Sequence, residues 1–248
     1  MFELVYFEFI VIEYLINEGY VKDFVKEDFL KSFLDVKEYE SLKKLEKLLR
    51  KESKIVEKII FFKQSSSSQF SITFKNKKLV GLDLRCNGLT KFPMSIIQFK
   101  ELEKLFLDDN SFRIIPSRVK ALKNLKQLSL SGNLLTNLPE SISKLQSLEF
   151  ISLSMNQFTH FPECLTELRN LKYLNLGMNN IKFIPNSIIN LKKLKMLFLN
   201  YNNISSLNEL IDAITSLKSL EIISLEHNRI KKLPDRIFTP KWLKKIYI

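Results

Sequence analysis

Seven asparagines, Asn87, Asn110, Asn133, Asn156, Asn179, Asn202 and Asn228, follow one another at intervals of 23 residues five times and then of 26. Each closes the same frame: an apolar residue, two variable positions, a second apolar residue, one variable, a third apolar residue, two variable, then Asn. Leu79-x-x-Leu82-x-Leu84-x-x-Asn87 is the first such run, and Leu148-x-x-Ile151-x-Leu153-x-x-Asn156 lies three periods later. A fixed period in this range specifies stacked coils, because one such unit cannot bury its apolar face alone. The chain is therefore expected to be mostly a repeat-built surface, with its function on that surface and not in a catalytic pocket.

The frame opens at Leu79, Leu102, Leu125, Leu148, Leu171, Leu194 and Leu220, and Leu243-x-x-Ile246-x-Ile248 opens a truncated eighth repeat. The second half of most repeats carries an apolar residue and proline, as in Phe92-Pro93, Ile115-Pro116, Leu138-Pro139, Phe161-Pro162, Ile184-Pro185 and Leu233-Pro234. Proline stops the backbone from extending a sheet and suits the start of a helical turn. Repeat six has Leu207-Asn208 instead and three extra residues, so a fuller helix is expected over 208–216 with Asn208 as its N-cap.

These residues resemble the leucine-rich repeat family. The 23-residue Leu-Pro form is similar to the intracellular class found in Ras-suppressor-type scaffolds and in plant intracellular Ras-group-related proteins. The resemblance covers residues 79–248. It implies an α/β solenoid, a horseshoe with a concave parallel sheet and short helices outside, of seven repeats plus the truncated eighth, preceded by an N-terminal helical segment.

Alternation along a strand separates core positions from variable ones. The last two leucines of each frame point into the shared core. The Asn amide, with donors and an acceptor, is expected to satisfy backbone groups where the chain leaves the strand, a structural role and not a ligand site. The position before the second leucine reads Gly81, Lys104, Gln127, Phe150, Tyr173, Met196, Ile222 and Lys245. The position between the second and third reads Asp83, Phe106, Ser129, Ser152, Asn175, Phe198, Ser224 and Tyr247. Phe150, Tyr173, Met196 and Ile222 thus form a row across four adjacent strands, with Phe198, Met155, Met178 and Tyr201 beside it. These eight residues are the candidate protein-binding site on the concave face, since aromatics and Met are favoured at interfaces.

Lysines gather where the repeats enter their strands: Lys100, Lys123, Lys126, Lys172, Lys192, Lys193, Lys195, Lys218, Lys241, Lys244 and Lys245. A basic rim is expected there, able to steer an acidic protein or an anionic membrane surface, with Asp108, Asp109 and Glu226 toward the other strand ends. Net charge supports that placement. Residues 1–63 hold 12 basic against 13 acidic side chains, and residues 64–248 hold 27 against 14. Lysine outnumbers arginine 32 to 7, which speaks against a dedicated phosphate reader, and no nucleic acid is expected.

Residues 1–63 read as a helical region or cap. Apolar residues recur at three- and four-residue spacing through Phe24, Phe29, Phe33 and Leu34, and again through Leu42, Leu45, Leu48 and Leu49. Gly19 is expected to end the first helix. This region is expected to cover the N-terminal end of the solenoid. Tyr14-Leu15-x-x-x-Gly19-Tyr20 is similar to the core of the LisH dimerisation motif, although Phe24 and Glu27 depart from its pattern; the resemblance implies weak dimerisation. Residues 64–78 form a linker, Gln64 to Gln69, and a capping strand within Phe70 to Phe74. Val56-x-x-Ile59-x-Phe61-x-x-Gln64 also fits the frame, so a degenerate first repeat over 56–64 stays open.

No catalytic residues, cofactor or metal site are expected. His160 and His227 lie in different repeats, without metal-like spacing to Cys86 or Cys164. No glycine-rich loop cradles phosphate, and nothing pairs a nucleophile with a base. The two cysteines lie more than three repeats apart, which fits free thiols in a reducing compartment. With no apolar run of about 20 residues, a soluble cytoplasmic chain is expected. The leading function is a protein-interaction scaffold or adaptor in intracellular signalling. The alternatives are the recognition arm of a larger signalling enzyme (kinase, cyclase or phosphatase) and a basic surface for anionic membranes.

Overall fold

Three-residue strands joined by tight turns follow from the frame itself, and a computed structural model describes them over residues 36–52, 71–75, 78–232 and 234–248. Strands β2 (Lys78–Asp83), β3 (Lys104–Phe106), β4 (Gln127–Ser129), β5 (Phe150–Ser152), β6 (Tyr173–Asn175), β7 (Met196–Phe198), β8 (Ile222–Ser224) and β9 (Lys245–Tyr247) pair in sequence order, all parallel. Register never slips. Lys104, Gln127, Phe150, Tyr173, Met196, Ile222 and Lys245 are successive partners across the sheet. A one-residue slip would turn every core leucine outward, so burial itself enforces this alignment.

The apolar frame residues supply the core. Leu148, Ile151 and Leu153 are fully buried, as are Leu171, Leu174 and Leu176 one coil on. Each such side chain contributes about 1.5–3 kcal/mol of burial, realised only when a neighbouring coil is present. Outside the sheet, the proline segments form 3₁₀ turns of five residues, for example 140–144 after Pro139. Proline is the N-cap, in extended conformation, and its carbonyl accepts from Ile142 N–H at 3.0 Å. Repeat six departs from this as expected, with α2 spanning Asn208–Ser216. Its N-cap, however, is Leu207, and Asn208 is the first helical residue. The Leu207 carbonyl accepts from Ile211 N–H at 2.7 Å, and no side chain caps this helix.

Strand β1 (Ser71–Lys75) runs antiparallel to β2 and takes the sheet edge, with Thr73 facing Gly81. A Cβ on Gly81 would meet the Thr73 side chain at 3.0 Å, so glycine permits the close approach. Helix α1 (Val36–Glu52) packs instead on the first 3₁₀ turn, 94–98, burying Tyr39, Leu42 and Leu45 at three-residue spacing. The helical cap thus lies on the outer layer and a strand closes the sheet. The Gly19 break, the Tyr14–Tyr20 motif, the 64–69 linker and the 56–64 repeat fall outside the described residues.

From Asn110 to Asn228, each asparagine of the ladder joins two coils. Asn156 Oδ1 accepts from Leu135 N–H of the preceding repeat at 2.9 Å. Its Nδ2 donates to Leu130 O, also of the preceding coil, at 2.9 Å, and to Leu153 O and Ser154 O, each at 3.1 Å. Asn110, Asn133, Asn179 and Asn202 repeat the pattern. Asn228, in the last full repeat, is only half-buried. Replacing Asn156 by Ala leaves the Leu135 donor buried and unpaired and removes one of the two bonds that Leu130 O accepts, the other coming from Asn133 Nδ2. Urea unfolding should show Asn156→Ala less stable by about 2–4 kcal/mol and Asn228→Ala by about half that or less.

Candidate protein-interaction face

With the leucines packed on the 3₁₀ layer, the intervening residues stand on the opposite, concave face of the sheet. Phe150, Tyr173, Met196 and Ile222 occupy one register row on β5 to β8, spanning about 14 Å at ~4.8 Å per strand. All four are half-buried. Phe150 and Tyr173 stack with ring centroids 4.3 Å apart and planes 14° from parallel. Tyr173 also meets the half-buried Phe198 at 5.3 Å with a 41° tilt. Parallel pairing of short strands forces such contacts, because side chains at equal register stand one strand spacing apart. Burial among these neighbours pushes the Tyr173 phenol above its ordinary pKa.

Met155, Met178 and Tyr201 lie beside this cluster and are exposed at 55%, 45% and 45%. They share a backbone constraint that the sequence did not announce. The residue before each ladder asparagine is left-handed in all seven full repeats: Cys86, Asp109, Gly132, Met155, Met178, Tyr201 and His227 have φ between 52° and 62°. The left-handed turn releases the chain from the strand and aims the asparagine inward. Its cost is about 1–2 kcal/mol wherever the residue carries a Cβ. Six of these seven positions bear it.

In the sequence His227 has no metal-like spacing to a cysteine and no catalytic partner. In the structure it stacks on Tyr201, with centroids 4.1 Å apart and planes 15° from parallel. The signal was present, since His227 holds the same place in the frame as Tyr201. The N-terminal half of the face is polar. Arg85 pairs with Asp83 at 2.6 Å and lies 5.6 Å from the Phe106 ring centroid. The Asp108 carboxylate accepts from the Ser129 hydroxyl and from Ser131 N–H. Gly81 and Asp83, expected on the open face, are buried beside β1. Ser129, Ser152 and Ser224 are also buried, because small side chains sink between larger neighbours.

The lysine rim is not uniformly basic. The residue after the first frame leucine is of mixed sign, and Lys126 pairs with Glu103 at 2.9 Å, Lys172 with Glu149 at 2.8 Å, and both Lys195 and Lys244 with Glu221 at 3.5 and 2.6 Å. The hydrogen bond from Lys126 lowers the Glu103 pKa, and that from Lys244 lowers the Glu221 pKa. The repeat step thus brings opposite charges together across neighbouring coils. Among the described residues, no three His, Cys, Asp or Glu side chains come together as metal ligands, and no helix is long and apolar enough to cross a membrane.

Comparison with known proteins agrees with the architecture. The leucine rich repeat family model matches residues 100–158 and 161–204. A leucine-rich repeat protein of Leptospira interrogans is 37% identical with a TM-score of 0.64, over 67% of this chain and 42% of its own. An internalin from Listeria monocytogenes is 24% identical with a TM-score of 0.61, over 69% of this chain and 48% of its own. Internalin C2 from the same species is 24% identical with a TM-score of 0.55, over 68% and 80%. The chain spans less than half the length of the first two. No curated protein matches it.

The left-handed row allows a direct test of backbone strain. Met178→Gly should raise stability by about 0.5–1 kcal/mol in urea unfolding, the relief of strain exceeding the entropy lost with glycine. Gly132→Ala should instead cost about 1–2 kcal/mol, because its Cβ would collide with the Asp109 carboxylate.

Proposed function

We propose, from the premise that residues 79–248 form a leucine-rich repeat horseshoe, that this chain is a non-enzymatic scaffold or adaptor that binds a partner protein on its concave face. The observation that carries the reading is the half-exposed cluster of Phe150, Tyr173 and Phe198, flanked by Met155, Met178 and Tyr201. Rigid aromatics lose little conformational entropy on binding and supply large contact area, which is why interface centres are rich in them. Their neighbours along the strands, Ile151, Leu174 and Leu197, are fully buried and supply the core on the opposite side of the sheet.

The 23-residue Leu-Pro spacing supports placing the repeats in the intracellular class, and the thiols accord with a reducing compartment. Cys164 is buried and its pKa is pushed up to about 12, chiefly by desolvation, while Cys86 is exposed and unbridged. We place the chain in the cytoplasm on these grounds, as an adaptor in signalling.

The test is the triple variant Phe150→Ser, Tyr173→Ser, Phe198→Ser. All three side chains lie on the outward face, so circular dichroism should keep the folded signature, while loss of the two ring contacts should lower stability by about 1–3 kcal/mol. Affinity capture from native lysate should lose the proteins that the unmodified chain retains. Recovery of the same proteins by the folded variant would contradict the concave-face reading.

A further inference from the structure

We propose that the segment received by the concave face is acidic, an aromatic or apolar anchor seated over Tyr173 and Phe198 with aspartates or glutamates on the side facing the strand entries. This deepens the concave-face reading and rests on it. A second row of charge on the rim, distinct from the mixed-sign one, points to that occupant. Two residues before the first frame leucine, repeats five to eight carry Arg169, Lys192, Lys218 and Lys241. All four are exposed, and among the described residues none forms an ion pair. In the adjacent row Glu149 pairs with Lys172, and Glu221 with both Lys195 and Lys244; among the described residues no carboxylate pairs with this one. Like charges repeated at each strand repel, and the fold supplies nothing to offset them.

The row is one-sided. The same position carries exposed Lys100 and Lys123 in repeats two and three and is interrupted by Gln146 in repeat four. From Arg169 to Lys241 it runs unbroken along β6 to β9, the half of the sheet that carries Tyr173, Met196 and Phe198. At the opposite ends of the same strands stand Met178, Tyr201, Glu226 and His227, with no lysine or arginine among them. An occupant therefore meets apolar rings in the concavity and uncompensated cations along one edge. A planar bilayer lying against the rim does not reach rings inside the curve. A protruding acidic polypeptide segment touches both, and charge complementarity would fix its orientation and speed its approach.

A random-peptide display library selected on the full chain tests this, with kinetics measured for the recovered peptides. Acidic residues should be enriched beside aromatic or aliphatic anchors. Reversal of the row (Arg169→Glu, Lys192→Glu, Lys218→Glu, Lys241→Glu) should slow association by about tenfold or more with little change in dissociation, as should added salt on the unmodified chain. Phe150→Ser, Tyr173→Ser, Phe198→Ser should chiefly speed dissociation. If the reversed chain does not fold, the neutral pair Lys192→Gln, Lys218→Gln should slow association in the same sense by a smaller factor. Peptides without acidic enrichment that are lost only on the aromatic variant would overturn the acidic inference and leave concave binding standing. Peptides indifferent to the aromatic variant would overturn both. Failure to select any peptide would count against both as well. Equal binding of unmodified chain and aromatic variant to phosphatidylserine–phosphatidylcholine vesicles would then favour the membrane.

Discussion

The hydrogen bonds of one buried amide per repeat hold this architecture in register. Asn110, Asn133, Asn156, Asn179 and Asn202 each accept from the backbone of the coil before and donate to carbonyls of both coils. A turn out of a three-residue strand leaves donors and acceptors facing the interior, where an unpaired group costs about 1–3 kcal/mol. The asparagine meets both kinds at once. The leucines favour stacking and exclude a one-residue slip, and the amide adds the directional bonds that hold the turn in place.

That alignment has a consequence for the surface. For the amide to point inward, the preceding residue takes the left-handed conformation, and its side chain is directed away from the core. The chain places Met155, Met178, Tyr201 and His227 there, where glycine would be easier on the backbone. Strain of this kind persists where the surroundings hold it, and it recurs at functional surfaces. In this solenoid the same turn that secures the coil also presents the exposed edge of the aromatic cluster.

Much of this was legible in the residues because the repeat removes ambiguity. Periodicity located the strands, the buried leucines and the row from Phe150 to Ile222, and the three extra residues of repeat six located the α-helix over 208–216. The misread features are those that depend on neighbours distant in sequence. Glu103 and Lys126 look like separate charges until the coils stack and bring them to 2.9 Å. Gly81 looks like an open-face position until β1 folds back upon it. One miss is local: Asn208 looks like a cap, yet the adjacent Leu207 backbone takes that place. The stacking of His227 on Tyr201 needed only the frame, applied one position further than it was.

The central claim is the phase: which side of each coil faces outward. Hydroxyl-radical footprinting read by mass spectrometry measures it residue by residue on the unmodified chain. Met155, Met178 and Tyr201, each near half exposed, should be modified rapidly, while the fully buried Phe112 and Phe158 should be modified only on unfolding. Rapid modification of Phe112 and Phe158 in the folded chain, with Met155 and Met178 protected, would contradict the account.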